Sequence, residues 1–270
     1  MTRRNGDVLF PAVFLVPAAV AVGQAFAPGA AIYSGPAPTV AGGLTAVAKL
    51  VLLGLAAWFS YRNARGLASA QERVASAWRR LAAGWGLYFT GQACLAWYQL
   101  RGLNAPFPSV GDAFFLAAYP FFFASLLTFL GAYREAGFAP DTPAVQGRFA
   151  AIVSAACLAV AVPLLHPTAV APTRPSETAL NLAYPVLDLA LVVPLVLLVR
   201  MAHAFRGGAV ARMWGSMLAG LSFMCAGDVL FAYFSALGRT GLDPFVHATY
   251  LLAYGLVAEG ARRQQALLEA

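Results

Sequence analysis

The sequence predicts an all-α, polytopic integral membrane protein, a bundle of eight transmembrane helices. Three observations support this prediction. Of the 270 residues, 60% are hydrophobic and only 11% are charged, whereas a soluble domain carries about 25% charged residues. The apolar residues fall into eight runs, each near the roughly 20 residues that a helical span needs. The arginines concentrate in alternate connections between these runs, as the positive-inside rule requires.

The predicted spans follow one another with short connections. They occupy residues 8–27, 39–60, 78–100, 110–133, 149–166, 178–200, 212–236 and 244–261. Backbone groups in lipid need partners within their own segment, so each span is predicted to be a helix. Prolines inside four of the spans predict kinks. Seven spans stay possible, because the first run and the following Ala25-Phe26-Ala27 resemble a cleavable signal peptide.

The basic residues predict the topology. Of the 18 Lys and Arg residues, 14 arginines lie on one predicted side, three arginines lie on the other, and Lys49 lies inside a span. This asymmetry predicts a multi-pass protein of the bacterial inner (plasma) membrane with both termini in the cytoplasm. It also explains the net charge of +7 without nucleic acid as a partner, so the lipid bilayer is the partner that the charge predicts.

An internal repeat suggests two halves, residues 1–140 and 141–270. The positions that recur 136 residues later are Trp78, Gly84 and Gly91 in the third span, matched by Trp214, Gly220 and Gly227 in the seventh. Four spans per half predict two parallel four-helix repeats, related by an axis along the membrane normal. Chance similarity is the other interpretation, because the background is rich in Ala, Leu and Gly and the identity is low.

Ionisable residues inside spans mark candidate sites, because each costs about 2.5–3.5 kcal/mol to insert. Lys49, Asp188 and Asp228 lie in the middle of the second, sixth and seventh spans. Pairing offsets the cost of a buried charge, so Lys49 is predicted to face Asp188 or Asp228. Such a pair either fixes the helix register or forms a polar ligand site or proton relay. Alternatively, Lys49 extends to an interface.

Other candidates lie near the predicted outer ends of spans. Ser109 is predicted to cap the fourth helix, which places Asp112 in its first turn, where the helix dipole favours a carboxylate. His247 lies near the start of the eighth span. The predicted ligand-binding residues are Lys49, Asp112, Tyr184, Asp188, Asp228, Tyr233 and His247. The many aromatic residues predict either interfacial belts or an aromatic pocket for an apolar or amphipathic ligand.

The sequence predicts neither a catalytic set nor a metal site, and it leaves any cofactor unknown. The three cysteines lie in separate apolar runs, which is typical of small buried residues rather than disulfides or zinc ligands. The three histidines are too dispersed for a metal cluster or for haem. Metalloprotease, nucleophile-elbow, phosphate-loop and dinucleotide motifs are absent from the sequence.

Four segments resemble the multi-span input regions of bacterial diguanylate cyclases and histidine kinases. Residues 106–120 read Pro-Phe-Pro-Ser-Val-Gly-Asp-Ala-Phe-Phe-Leu-Ala-Ala-Tyr-Pro, and residues 181–188 read Asn-Leu-Ala-Tyr-Pro-Val-Leu-Asp. These are similar to the Pro-Ser-x-x-Asp and Tyr-Pro-x-x-Asp elements of that family. Residues 227–233 and 250–254 look like its closing pair of spans, and the resemblance covers roughly residues 75–263.

This resemblance implies a membrane sensor that relays a signal to a cytoplasmic output domain. The 270 residues contain no GGDEF or EAL motif and no kinase region, and Gln92 stands where the second half has Asp228. Output is therefore expected from a cytoplasmic partner protein or a homo-oligomer. The predicted function is a signal-input module for a small or apolar ligand. The alternatives are a secondary transporter for a small solute, with or without proton coupling, and a membrane enzyme acting on lipid or isoprenoid substrates.

Overall fold

The computed structural model describes residues 3–25, 40–138, 141–203, 208–239 and 242–269. Within these residues the chain forms eight helices and no strand, which confirms the all-α prediction. The helices are α1 (Arg3–Ala25), α2 (Val40–Leu67), α3 (Glu72–Leu100), α4 (Val110–Glu135), α5 (Pro143–Val170), α6 (Pro175–His203), α7 (Ala209–Ala236) and α8 (Asp243–Leu268). The cleavage motif considered after the first span lies mostly outside the described residues.

Five of these helices are long and apolar enough to cross a membrane: α2, α4, α5, α6 and α7. The described apolar stretch of α1 is shorter and covers Phe10–Gly23. The first three turns of α3 contain Glu72, Arg79 and Arg80, and the last part of α8 contains Glu259 and two arginines. The mean hydropathy of these two helices is therefore lower. The five apolar helices indicate a membrane protein.

Six helices form a closed ring. Helix α2 packs against α3, α3 against α4, α4 against α6, α6 against α7, α7 against α8, and α8 returns to α2. Helix α1 lies outside the ring against α8 and α2, and α5 lies outside against α6 and α7. Helix α5 has the least buried surface of the five candidate spans. The polar residues buried by this arrangement therefore lie mainly on the inner faces of the ring helices.

The recurring glycines of α3 and α7 make similar contacts. A methyl group at Gly91 would lie 2.8 Å from the ring of Phe115 on α4, and one at Gly227 would lie 2.8 Å from the ring of Tyr250 on α8. Both glycines therefore permit an aromatic ring of the following helix to approach closely. The outer helices are less alike, because α1 packs chiefly on α8 whereas α5 packs on α6 and α7. The division at residue 140 stays a prediction.

The two ends of the ring differ in chemistry. We call one end of the ring the open end; there the chain connects α3 to α4, α5 to α6 and α7 to α8. At the opposite, arginine-rich end, Arg200 binds Asp141 across 2.5 Å and Glu259 accepts from both Arg262 and Arg263 at 2.7 Å. The hydrogen bond from Arg200 lowers the pKa of the Asp141 carboxyl. The Arg200–Asp141 pair joins the end of α6 to the residues just before α5, whereas the Glu259 pairs lie within α8.

Candidate functional site

A cavity of about 320 Å³ lies inside the ring at the open end. All six ring helices and the connection before α4 contribute to its wall. The lining residues are Lys49, Tyr88, Gln92, Leu95, Gln99, Ala105, Pro106, Phe107, Ser109, Asp112, Phe115, Asn181, Tyr184, Asp228, Phe231, Asp243, Val246, His247, Tyr250 and Tyr254. Such a volume is at the lower end of the roughly 300–1,000 Å³ typical of small-molecule sites.

Lys49 projects from α2 into this cavity and is 4% exposed. Its predicted pairing with Asp188 or Asp228 is wrong. The Nζ atom lies 2.6 Å from Nδ1 of His247 on α8 and 5.1 Å from the centre of the Tyr250 ring. The reason is the order of the helices, because α2 packs against α3 and α8 but not against α6 or α7. The prediction that Lys49 is buried inside the bundle is confirmed.

Tyr250 contacts both Asp228 and Lys49 and lies between them. The Tyr250 hydroxyl donates to Oδ1 of Asp228 across 2.5 Å, while the face of the same ring lies beside the Lys49 ammonium. Placing a cation near the face of an aromatic ring is favourable. Lys49 and Asp228 are therefore held on two sides of one tyrosine, and neither neutralises the other in an ion pair.

Asp188 lies behind Asp228, away from the cavity, and is 0% exposed. Its Oδ1 atom accepts a hydrogen bond from the Tyr119 hydroxyl at 2.7 Å. Its carboxyl group also lies within hydrogen-bonding reach of the carboxyl of Asp228. The chain of contacts Tyr250–Asp228–Asp188–Tyr119 thus connects α8, α7, α6 and α4 across the ring.

The contact between the two aspartates requires a proton. The Oδ2 atoms of Asp188 and Asp228 are both buried, and neither accepts from a donor in the described part of the chain. An ionised carboxylate offers only acceptors, whereas a protonated one donates, so two ionised groups at this separation would repel each other. A proton shared between Asp188 and Asp228 would remove this repulsion and leave the pair with a single negative charge.

Asp112 has a structural and a cavity-facing role together. As predicted, Ser109 directly precedes the first turn of α4. Its backbone N–H donates to Oδ2 of Asp112 at 2.6 Å, and its hydroxyl donates to the same oxygen at 2.8 Å. The other carboxylate oxygen, Oδ1, accepts from the Tyr184 hydroxyl at 2.7 Å. This last bond joins α4 to α6 at the cavity wall. The two Tyr-Pro segments of the sequence, at Tyr119 and Tyr184, therefore each supply a hydroxyl to an aspartate.

Five of the seven predicted ligand-binding residues line the cavity: Lys49, Asp112, Tyr184, Asp228 and His247. Asp188 instead supports Asp228 from behind. Tyr233 is not part of the wall, and its ring lies 6.0 Å from that of Phe234. The cause is helical geometry: Tyr233 follows Asp228 by five residues, which turns its side chain about 140° away from the direction of Asp228. Phe231 follows Asp228 by three residues and does reach the cavity.

Sequence reasoning did not single out several residues that the structure places at the site. Tyr88 and Tyr254 form its deep end, with ring centres 6.1 Å apart. Gln92 lies one turn from Tyr88, and the buried amide oxygen of Asn181 has no donor in the described part of the chain. A signal for part of this set was present: His247, Tyr250 and Tyr254 share one face of α8 at spacings of three and four residues.

The cavity wall combines an aromatic surface with a few polar groups. Asp243, just before the predicted eighth span, stands at the rim, and partial burial raises the pKa of its carboxyl to about 6. In the described part of the chain, no cluster of three or more His, Cys, Asp or Glu side chains could hold a metal ion.

Comparison with protein-family models, curated proteins and solved structures yields no match to this chain.

Proposed function

We propose that this chain is a membrane-embedded signal-input module whose open-end cavity binds a small ligand from outside the cell. In this arrangement all eight helices cross the membrane and both termini lie in the cytoplasm. The distribution of arginines supports this orientation, because the open-end connections carry Arg101, Arg174 and Arg239 whereas the opposite end carries most of the others. The resemblance to the input regions of diguanylate cyclases and histidine kinases supports the same function.

The observation that carries this proposal is that the polar interior opens at one end only. Below the Asp188–Asp228 pair, the ring interior is filled by buried leucines of α6, namely Leu191, Leu195 and Leu198. The pocket found at this level has about 30 Å³ and is lined by apolar and aromatic side chains. A ligand can therefore enter the cavity, but the described residues offer it no polar route to the arginine-rich end. A cavity that is reached from one end supports the proposal of a receptor site.

Helix α8 is the element that we propose relays occupancy. Its first half supplies His247, Tyr250 and Tyr254 to the cavity, and its second half continues to Leu268 beyond the predicted span. Rigid helices can carry a displacement between two sites. A ligand that moves these three side chains would shift the end of α8, where an output partner or a second copy of the chain would detect it.

The relay can be tested without knowledge of the ligand. The variant Gln92→Trp fills the cavity from α3, and its matched control, Leu127→Trp, adds the same ring on the outer surface of α4, where Leu127 is 60% exposed. We expect Gln92→Trp, but not Leu127→Trp, to change amide hydrogen exchange in residues 262–269 of the protein in lipid nanodiscs. Equal exchange in both variants and the native protein would contradict the relay.

A proton-coupled transporter is the second candidate, and the carboxyl pair specifically favours it. Asp228 contacts the cavity while Asp188 lies one step deeper, as in a proton relay. Proteoliposomes that enclose a pH-sensitive dye separate the two proposals. A signal-input module leaves an imposed pH gradient intact, with or without candidate solutes. Solute-dependent dissipation that is lost in Asp228→Asn would establish the transporter.

A further inference from the structure

Lys49 indicates the chemical class of the ligand. A lysine ammonium has three N–H donors, and one of them is directed to His247 across 2.6 Å. The remaining interaction is the one with the Tyr250 ring, and none of the ion pairs of the described residues includes Lys49. A buried cation is stabilised by an anionic partner, and here the cavity is the space in which that partner can sit.

Most carboxylate oxygens of the deep wall already have donors; the exception is Oδ2 of Asp228. Asp112 accepts from Ser109 and Tyr184. Asp228 accepts from Tyr250 and shares a contact with Asp188. Asp243 stands at the rim of the cavity. The remaining donors of Lys49 thus lie at the cavity without an anionic partner among the described residues, and an acceptor on a ligand would complete them.

The rest of the wall selects an aromatic or planar apolar body. The aromatic side chains that surround the space include Tyr88, Phe107, Phe115, Phe231, Tyr250 and Tyr254. Rings pack against other rings in offset or edge-to-face arrangements that add to simple burial. The volume of about 320 Å³ limits the ligand to a small molecule rather than a lipid with long chains.

We infer that the cavity binds a small aromatic carboxylate, with the carboxylate on Lys49 and the ring between Tyr88, Phe115 and Phe231. This inference rests on the proposed function of the cavity as a ligand site. His247 positions the lysine, since an ammonium that donates to Nδ1 is held toward the cavity. The hydroxyl of Tyr250 donates to Oδ1 of Asp228, so this oxygen is already paired when the anion enters.

Three probes of one shape test the inference: 3-phenylpropanoate, which is anionic, 3-phenylpropanamide, which is neutral, and 3-phenylpropylamine, which is cationic. Binding is measured as the concentration dependence of the thermal unfolding midpoint of the full chain in nanodiscs. We expect the carboxylate to bind most tightly and the amine most weakly. Lys49→Met should weaken carboxylate binding by about 10- to 100-fold, the range for loss of a charged hydrogen bond, without changing the affinity for the amide. Lys49→Arg should retain the preference for the anion.

The possible failures are distinguishable. Equal affinity for the carboxylate and the amide, or tightest binding of the amine, would overturn the anionic ligand while leaving the cavity as a binding site. A Lys49→Met variant that loses the amide as well has lost the cavity itself, and in that case Lys49→Arg decides the role of the charge. If none of the three probes shifts the midpoint of the native protein at millimolar concentration, both the inference and the proposed binding site are wrong.

Discussion

Removal of the Tyr119 hydroxyl tests the buried polar chain that supports the cavity. The Tyr119 hydroxyl donates to Asp188 Oδ1 across 2.7 Å, and Asp188 is completely buried. Hydrogen bonds to charged groups contribute about 1.5–3 kcal/mol in soluble proteins, whereas measured interhelical bonds in membranes average about 0.6 and reach about 1.7 kcal/mol. Because the acceptor is charged and fully buried, we expect the energy of this hydrogen bond to lie where the two ranges overlap. We therefore expect Tyr119→Phe to lower the free energy of unfolding by about 1.5 kcal/mol.

The assay is reversible unfolding in mixed micelles, followed by circular dichroism. Tyr254→Phe is the matched control, because Tyr254 is also buried but its hydroxyl makes no hydrogen bond with the described residues. We expect this control to remain within about 0.5 kcal/mol of the native protein, as for a substitution that breaks no specific interaction. An equal loss in both variants, or no loss in Tyr119→Phe, would refute the reasoning that this bond organises the interior.

Three further predictions follow from the same structure. Asp188→Asn gives Asp228 a permanent N–H donor and should leave stability nearly unchanged, whereas Asp188→Leu removes the donor and should cost about 2 kcal/mol in the unfolding assay. Burial raises the pKa of Asp243 to about 6, so the folded protein favours the protonated carboxyl. The contribution of this group to stability is full below its ordinary pKa and is lost as the pH rises through 6. Asp243→Asn should therefore be more thermally stable than the native protein above about pH 6. Gly220→Ala should cost about 1–3 kcal/mol by overpacking α7 against α8, unlike Gly215→Ala, whose added methyl meets open space.

Each of these predictions has its own contrary result. Equal stability of the amide and leucine variants at position 188 would show that no proton is shared between the aspartates. A pH profile of Asp243→Asn parallel to that of the native protein would show that this carboxyl does not titrate near pH 6. If Gly215→Ala and Gly220→Ala change the stability equally, the close approach of α8 to Gly220 does not determine the effect of the added methyl group.

The helices could be predicted because hydrophobicity and charge act over many residues. All eight predicted segments correspond to helices, and the structure extends several of them into polar sequence, as in α2, which continues to Leu67 rather than ending at residue 60. These extensions contain Arg62 and Arg65, which cannot stay in lipid. A prediction based on hydropathy therefore ends where charged residues begin, although backbone hydrogen bonding continues the helix.

The partners within the site could not be predicted, because depth alone does not determine contact. Counting residues along a helix gives depth at about 1.5 Å per residue, which correctly places Lys49 and Asp228 at similar levels. Which side chains meet also depends on the order of helices around the ring. Helix α8 lies between α2 and α7, so His247 and Tyr250 are interposed where the sequence predicted an ion pair.

The accessibility of Gln92 tests the central claim, that a polar cavity inside the ring opens to the outside of the cell. Gln92→Cys is made in a variant in which the three native cysteines are replaced by serine, with Leu195→Cys as the control in the apolar layer. A membrane-impermeant maleimide is added to intact spheroplasts and to inside-out vesicles. We predict labelling of Gln92→Cys in spheroplasts and no labelling of Leu195→Cys from either side. Labelling of Gln92→Cys only in inside-out vesicles, or in neither preparation while the protein remains folded, would contradict the account.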